Sequence, residues 1–127
     1  MLKSFHHVAI ICSNYEVSKH FYTSILGLKV IAENYREKRN SYKLDLSLPN
    51  GEQIELFSFE NAPPRPSFPE AQGLRHLAFA VDSIEIVSKY LQDAGIDVEP
   101  IRVDEYTQRK FTFFSDPDGL PLELYEQ

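Results

Sequence analysis

The chain has 127 residues, 43% of them hydrophobic and 25% charged, which suits one compact domain with its own core. A formal net charge of −6 and a pI near 5.2 argue against nucleic acid as the main partner, because phosphate binding leaves a basic face. No apolar run approaches the ~20 residues of a membrane helix, the N-terminus lacks a signal-peptide core, and the one cysteine, Cys12, cannot close an internal disulfide; a cytoplasmic protein with no membrane partner is expected.

Residues 5–12 alternate weakly and predict a first strand, with Cys12 on the opposite face from His7 and read as a buried, inert thiol. Ser13-Asn14-Tyr15-Glu16 sets a hydroxyl three residues before a glutamate, the pattern of a capping box at a helix start. Val17, Phe21, Ile25 and Leu28 recur at helical spacing as its apolar face, and Gly27 suits its end. A second strand is predicted over 29–35, a charged solvated turn over 36–40, and a third strand where Tyr42, Leu44, Leu46 and Leu48 alternate with Lys43, Asp45 and Ser47. Pro49-Asn50-Gly51 then turns the chain into a fourth strand over 53–59.

Residues 60–73 hold Pro63, Pro64, Pro66 and Pro69 and close on Gly73, which predicts a stiff, extended connector. The earlier order then returns: a strand over 75–81, a helix start at Asp82-Ser83-Ile84-Glu85, an apolar helix face of Ile86, Val87, Tyr90, Leu91 and Ala94, and Gly95 to end it. Strands follow near 98–103, 109–114 and 120–126.

The second half therefore repeats the first. Ser115-Asp116-Pro117-Asp118-Gly119-Leu120-Pro121-Leu122-Glu123-Leu124-Tyr125 matches Ser47-Leu48-Pro49-Asn50-Gly51-Glu52-Gln53-Ile54-Glu55-Leu56-Phe57 at an offset of 68 (115 − 47). Leu74-Arg75-His76-Leu77-Ala78-Phe79 matches Phe5-His6-His7-Val8-Ala9-Ile10, His76 and His7 being offset by 69 (76 − 7). A repeat of this kind fixes the architecture. Residues 5–59 and 74–127 each read as a βαβββ module, joined by 60–73 within a single domain spanning 1–127. Neither module can bury a sheet face alone, so two must pair.

Side chains alternate along a strand, so His7 shares a face with Ala9, and His76 with Ala78 and Ala80. Glu55 and Glu123 lie opposite the apolar Ile54, Leu56, Leu122 and Leu124. By symmetry the two histidines and two glutamates line the open side of the sheet, together with Lys43, Asp45, Phe57, Phe59, Phe111, Phe113 and Tyr125. Taken singly, each glutamate reads as a solvent-facing strand residue and each histidine as a satisfied polar group. Four such residues at matched positions read as a divalent metal site, with mixed N/O ligation that suits Zn, Ni, Fe, Co or Mn. Two acids on one apolar sheet also need a cation to offset their repulsion. His6 and His20 do not repeat and are read as structural or surface groups.

On these residues the chain resembles the vicinal oxygen chelate (VOC) superfamily, and within it the glyoxalase I-like (lactoylglutathione lyase-like) proteins. The resemblance rests on His7-Val8-Ala9-Ile10, Ile54-Glu55-Leu56, Leu74 to Phe79, and Asp116-Pro117-Asp118-Gly119 through Glu123. It implies an α+β fold of two paired βαβββ modules forming a curved, partly open sheet with a concave metal site. It implies His7, Glu55, His76 and Glu123 as ligands, a homodimer that in some members shares its site between chains, and a small-molecule substrate. The glyoxalase I reaction it implies is proton transfer next to a carbonyl, with a metal holding the enediolate and Glu123, with Glu55 on the other side, carrying the proton. Where glyoxalase I has an arginine and an asparagine for glutathione, this chain has Ile11 and Phe59, so the metal chemistry is better supported than a glutathione substrate. Arg75, Arg109 and Lys43 remain candidates for a different anion. Other members of the superfamily set the alternatives: a non-haem Fe(II) dioxygenase, an epimerase, and a metal-free drug-binding module.

Overall fold

In the computed structural model, which describes all 127 residues, the alternating positions of the first half form four strands: β1 (His7–Cys12), β2 (Lys29–Arg36), β3 (Ser41–Ser47) and β4 (Gln53–Ser58). Their order is β1-β4-β3-β2, with β1 parallel to β4 and the other two pairings antiparallel. The even positions of β3 and β4 supply the core: Leu44, Leu46 and Leu56 are fully buried, and Ile54 nearly so. Full burial of each such side chain is worth about 1.5–3 kcal/mol. Cys12 lies in this core, as its strand face predicts. The odd positions turn the other way, which leaves Lys43, Asp45 and Glu55 on the uncovered face.

The helix between β1 and β2, α1 (Tyr15–His20), is capped by Asn14 rather than Ser13: the Asn14 side chain accepts from the Val17 N–H at 3.2 Å. The buried residues of this helical segment are Tyr15, Ser18, Phe21 and Tyr22; of the predicted Val17–Phe21–Ile25–Leu28 face Phe21 is buried, Ile25 and Leu28 are half-buried, and Val17, 50% exposed, falls outside it. Two causes are visible. Starting one residue late makes Tyr15 the first helical residue, where its ring stacks on Tyr42 at 4.2 Å. The helix then widens into a π-helical turn, Phe21–Ile25, with Leu26 N–H bonded to Phe21 O, so 3.6-residue spacing no longer applies.

The second half repeats the plan with β5 (Leu77–Val81), α2 (Ile84–Asp93), β6 (Arg102–Val103), β7 (Lys110–Ser115) and β8 (Pro121–Glu126), in the order β5-β8-β7-β6. The cap is again one residue later than predicted: Ser83, not Asp82, accepts from Ile86 N–H. The buried face is Ile84, Ser88 and Leu91, leaving Ile86 and Tyr90 exposed. The predicted strand over 98–103 shrinks to Arg102–Val103. Pro100 has no N–H to give the ladder, and only Glu99 N–H to Phe113 O precedes it.

The chain divides into two compact units, Met1–Pro64 and Arg65–Gln127. At the start of the second unit Arg65 acts as a strut. Its guanidinium donates to Ser67 Oγ at 2.9 Å and to the carbonyls of Leu74 and Arg75 at 2.9 and 3.2 Å. This holds the end of the connector against the segment carrying His76.

Candidate metal centre

Strand register places each candidate ligand. In the first unit Glu55 stands between Ala9 on β1 and Asp45 on β3. The alanine leaves room, and His7, two residues earlier on the same face, fills it. His7 Nε2 lies 3.5 Å from Glu55 Oε2, with the glutamate side chain only 14% exposed. His6 Nδ1 sits 2.9 Å from His7 Nδ1, one donating to the other, and the far nitrogen, Nε2, is the end of His7 turned to Glu55. Lys43 Nζ pairs with Asp45 at 2.8 Å and approaches Glu55 at 3.9 Å.

In the second unit Glu123 stands between Ala78 on β5 and Phe113 on β7, the same geometry with a ring in place of Asp45. His76, just before β5, brings Nε2 to 2.9 Å from Glu123 Oε2, and the edge of its ring meets Phe113 with centroids 5.0 Å apart. The wall beside one couple is thus charged, and beside the other aromatic.

Of the four predicted ligands, the structure brings His7 to Glu55 and His76 to Glu123. No group of three or more His, Cys, Asp or Glu side chains able to hold a metal ion occurs. Each couple offers an imidazole nitrogen and a carboxylate oxygen, donors that suit first-row divalent ions. Two donors do not complete a site for an ion that takes four or more, so neither couple is by itself a complete metal site.

Sequence reasoning missed three cations beside these rings, one of them Arg39, 5.6 Å from the Phe59 centroid. Arg36 lies over Phe57 and Phe59, 5.0 and 5.7 Å from the ring centroids. Arg102 lies over Phe111 and Phe113 at 4.8 and 5.6 Å. The signal was the aromatic pair at i, i+2 in each module, since two rings on an open face invite a flat cation. Of the cations that were singled out, Lys43 is committed to Asp45, and Arg75 pairs with Glu70 at 3.2 Å. Ile11 is 55% exposed beside Phe57, and Arg36 lies over the Phe57 and Phe59 rings, so apolar side chains with a cation over them stand at this edge.

Two residues past Glu123, the Tyr125 hydroxyl donates to Asp104 Oδ2 at 3.0 Å and also meets Thr107. The Tyr106 N–H, followed by Tyr125 and Thr107, holds the Asp104 carboxyl below the usual carboxylate range.

Comparison with known proteins agrees with this architecture. A family model described as the Glyoxalase/Bleomycin resistance protein/Dioxygenase superfamily matches residues 4–124. The chain is 61% identical to the uncharacterized protein YwkD of Bacillus subtilis (strain 168), over 100% of this chain and 99% of that one. The crystal structure of a glyoxalase family protein from Enterococcus faecalis superposes with a TM-score of 0.92 at 54% identity, covering 98% of each chain. A more distant relative, Glyoxylase I 4 of Arabidopsis thaliana, is 29% identical over 97% of this chain and 70% of its own.

Proposed function

This chain belongs to the glyoxalase/bleomycin resistance protein/dioxygenase superfamily, and from that premise we propose that it is a metal-dependent lyase or isomerase of the glyoxalase I type. The observation that carries the proposal is the duplicated couple: one histidine and one glutamate, at matching register, facing each other in each module. His7, Glu55, His76 and Glu123 are the residues that hold the ion, as two couples converging on it from one chain or from two chains of a homodimer. A divalent ion held there supplies Lewis-acid stabilisation of negative charge developing on a substrate oxygen.

The remaining work falls to the protein. Glu123 takes a proton from the carbon next to the substrate carbonyl and returns it to the neighbouring carbon, so the reaction is redox-neutral. Its side chain is 12% exposed, which keeps bulk water from competing for that proton. Glu55 serves the opposite face. The substrate is a small α-oxygenated compound, and the apolar Ile11 and Phe59 speak against a tripeptide thiol. The relative named Glyoxylase I 4 supports the lyase reading.

The test is elemental analysis of protein purified without chelators, followed by a hemithioacetal isomerase assay with Ni, Zn, Co, Mn and Fe in turn. Bound divalent metal is expected. Glu123→Gln is expected to lower turnover by about 10²–10⁴-fold while part of the metal is retained. Equal turnover of variant and wild type would remove Glu123 from its role. Protein devoid of metal would favour a small-molecule binding module instead.

A further inference from the structure

The second module carries a pocket of about 480 Å3 beside His76, lined in part by Arg65, Arg75, Arg102 and Phe113. Its three arginines are not equivalent. Arg65 is spent on Ser67 and two backbone carbonyls. Arg75 and Arg102 each give one Nη to one carboxylate oxygen, on Glu70 at 3.2 Å and on Glu99 at 2.9 Å. Both pairs are exposed, where water screens such contacts and a better partner displaces them readily. A guanidinium has five N–H donors, so most of each fork is uncommitted.

Arg102 has a further property. It stands opposite Phe111 in the β6–β7 ladder, and its guanidinium lies over Phe111 and Phe113. Phe113 in turn stands opposite Glu123 and meets the His76 ring. The cation therefore rests against the same ring that borders the His76–Glu123 couple. A guanidinium held in this way loses little freedom on binding a planar or tetrahedral oxyanion.

We propose that this pocket takes the acidic group of a small organic anion, a carboxylate or a phosphonate. Arg102 is the specificity-determining residue and Arg75 the second donor, so that the rest of the molecule reaches the His76–Glu123 couple. The proposal rests on the lyase reading for what then happens to the ligand; the anion binding itself needs no metal.

The test uses chelator-treated full-length protein titrated by calorimetry with benzoate, phenylphosphonate and the neutral isostere benzamide. At least one anion is expected to bind about tenfold more tightly than benzamide, and its affinity is expected to fall as salt is raised. The tighter anion names the acidic group. Arg102→Met is expected to lower anion affinity about tenfold and leave benzamide unchanged. Arg102→Lys, which keeps the charge and the stem but not the fork, gives an intermediate loss and serves if the methionine variant does not fold. Benzamide binding as well as both anions, or Arg102 variants binding as wild type, overturns the proposal. Anion binding by a protein that never takes up metal would sink the lyase reading and leave this one standing; metal uptake without anion binding would do the reverse.

Discussion

Glu123 and Tyr125 share one face of β8, so whatever fixes Tyr125 also shapes the floor beside the second couple. Asp104 does so through its 3.0 Å bond from the tyrosine hydroxyl, while the Tyr106 N–H closes the loop on the same carboxylate. Those donors depress the Asp104 pKa. A carboxylate with a depressed folded pKa adds stability above its unfolded value, ~3.9, and that contribution is lost as pH falls through the lower folded value. An NMR titration is therefore expected to show Asp104 with a midpoint below that of a free aspartate, and the Tyr125 ring signals moving with it. In Asp104→Asn the acid transition of Tyr125 should vanish. Tyr125 signals indifferent to the Asp104 midpoint would break the link. None of this was legible in the sequence, because Asp104 and Tyr125 meet only after the β7–β8 hairpin has folded. The two histidine–glutamate couples were legible, since strand alternation and the repeat alone put them on the open faces. Arg102 was not: its place over two rings depends on the β6–β7 register, and periodicity does not carry register between strands.

The elements that the sequence fixes best are the turns. Both copies place glycine at positive φ, Gly51 at 90° and Gly119 at 82°, a region other residues enter at a cost of about 1–2 kcal/mol. The two turns are nevertheless held differently. In the second, Asp116 is buried at 6% exposure and accepts from Asp118 N–H at 2.8 Å and Leu120 N–H at 2.9 Å. In the first, the exposed Asn50 accepts only from Glu52 N–H at 3.1 Å. Asp116→Ala strips a charged acceptor from two N–H groups and is expected to cost about 2–4 kcal/mol in urea unfolding. Asn50→Ala should cost about 1 kcal/mol or less. Equal losses would mean that the buried carboxylate adds nothing beyond the turn geometry. Helix faces were read less well for a physical reason. A cap moved by one residue rotates every later side chain by about 100°, and both caps moved by one. The π-helical turn at Phe21–Ile25 then shifted the remainder of the first helix again.

At the scale of the whole molecule, the chain divides into two compact units, and each carries one histidine–glutamate couple. The proposed function leaves two sources for the ligands: one chain alone, or, in a two-fold homodimer that shares its sites, His7 and Glu55 from one chain and His76 and Glu123 from the other. Complementation tests this directly. A His7→Gln chain and a His76→Gln chain are each expected to lose metal and activity. Co-expressed, they form a heterodimer in which one quartet carries both substitutions and the other carries neither. Random pairing then returns about a quarter of wild-type metal content and turnover. If each ion is held within one chain, every quartet in the mixture contains a substitution and nothing is recovered. Metal content gives the answer even before a substrate is known, because it reads the ligand set rather than the reaction.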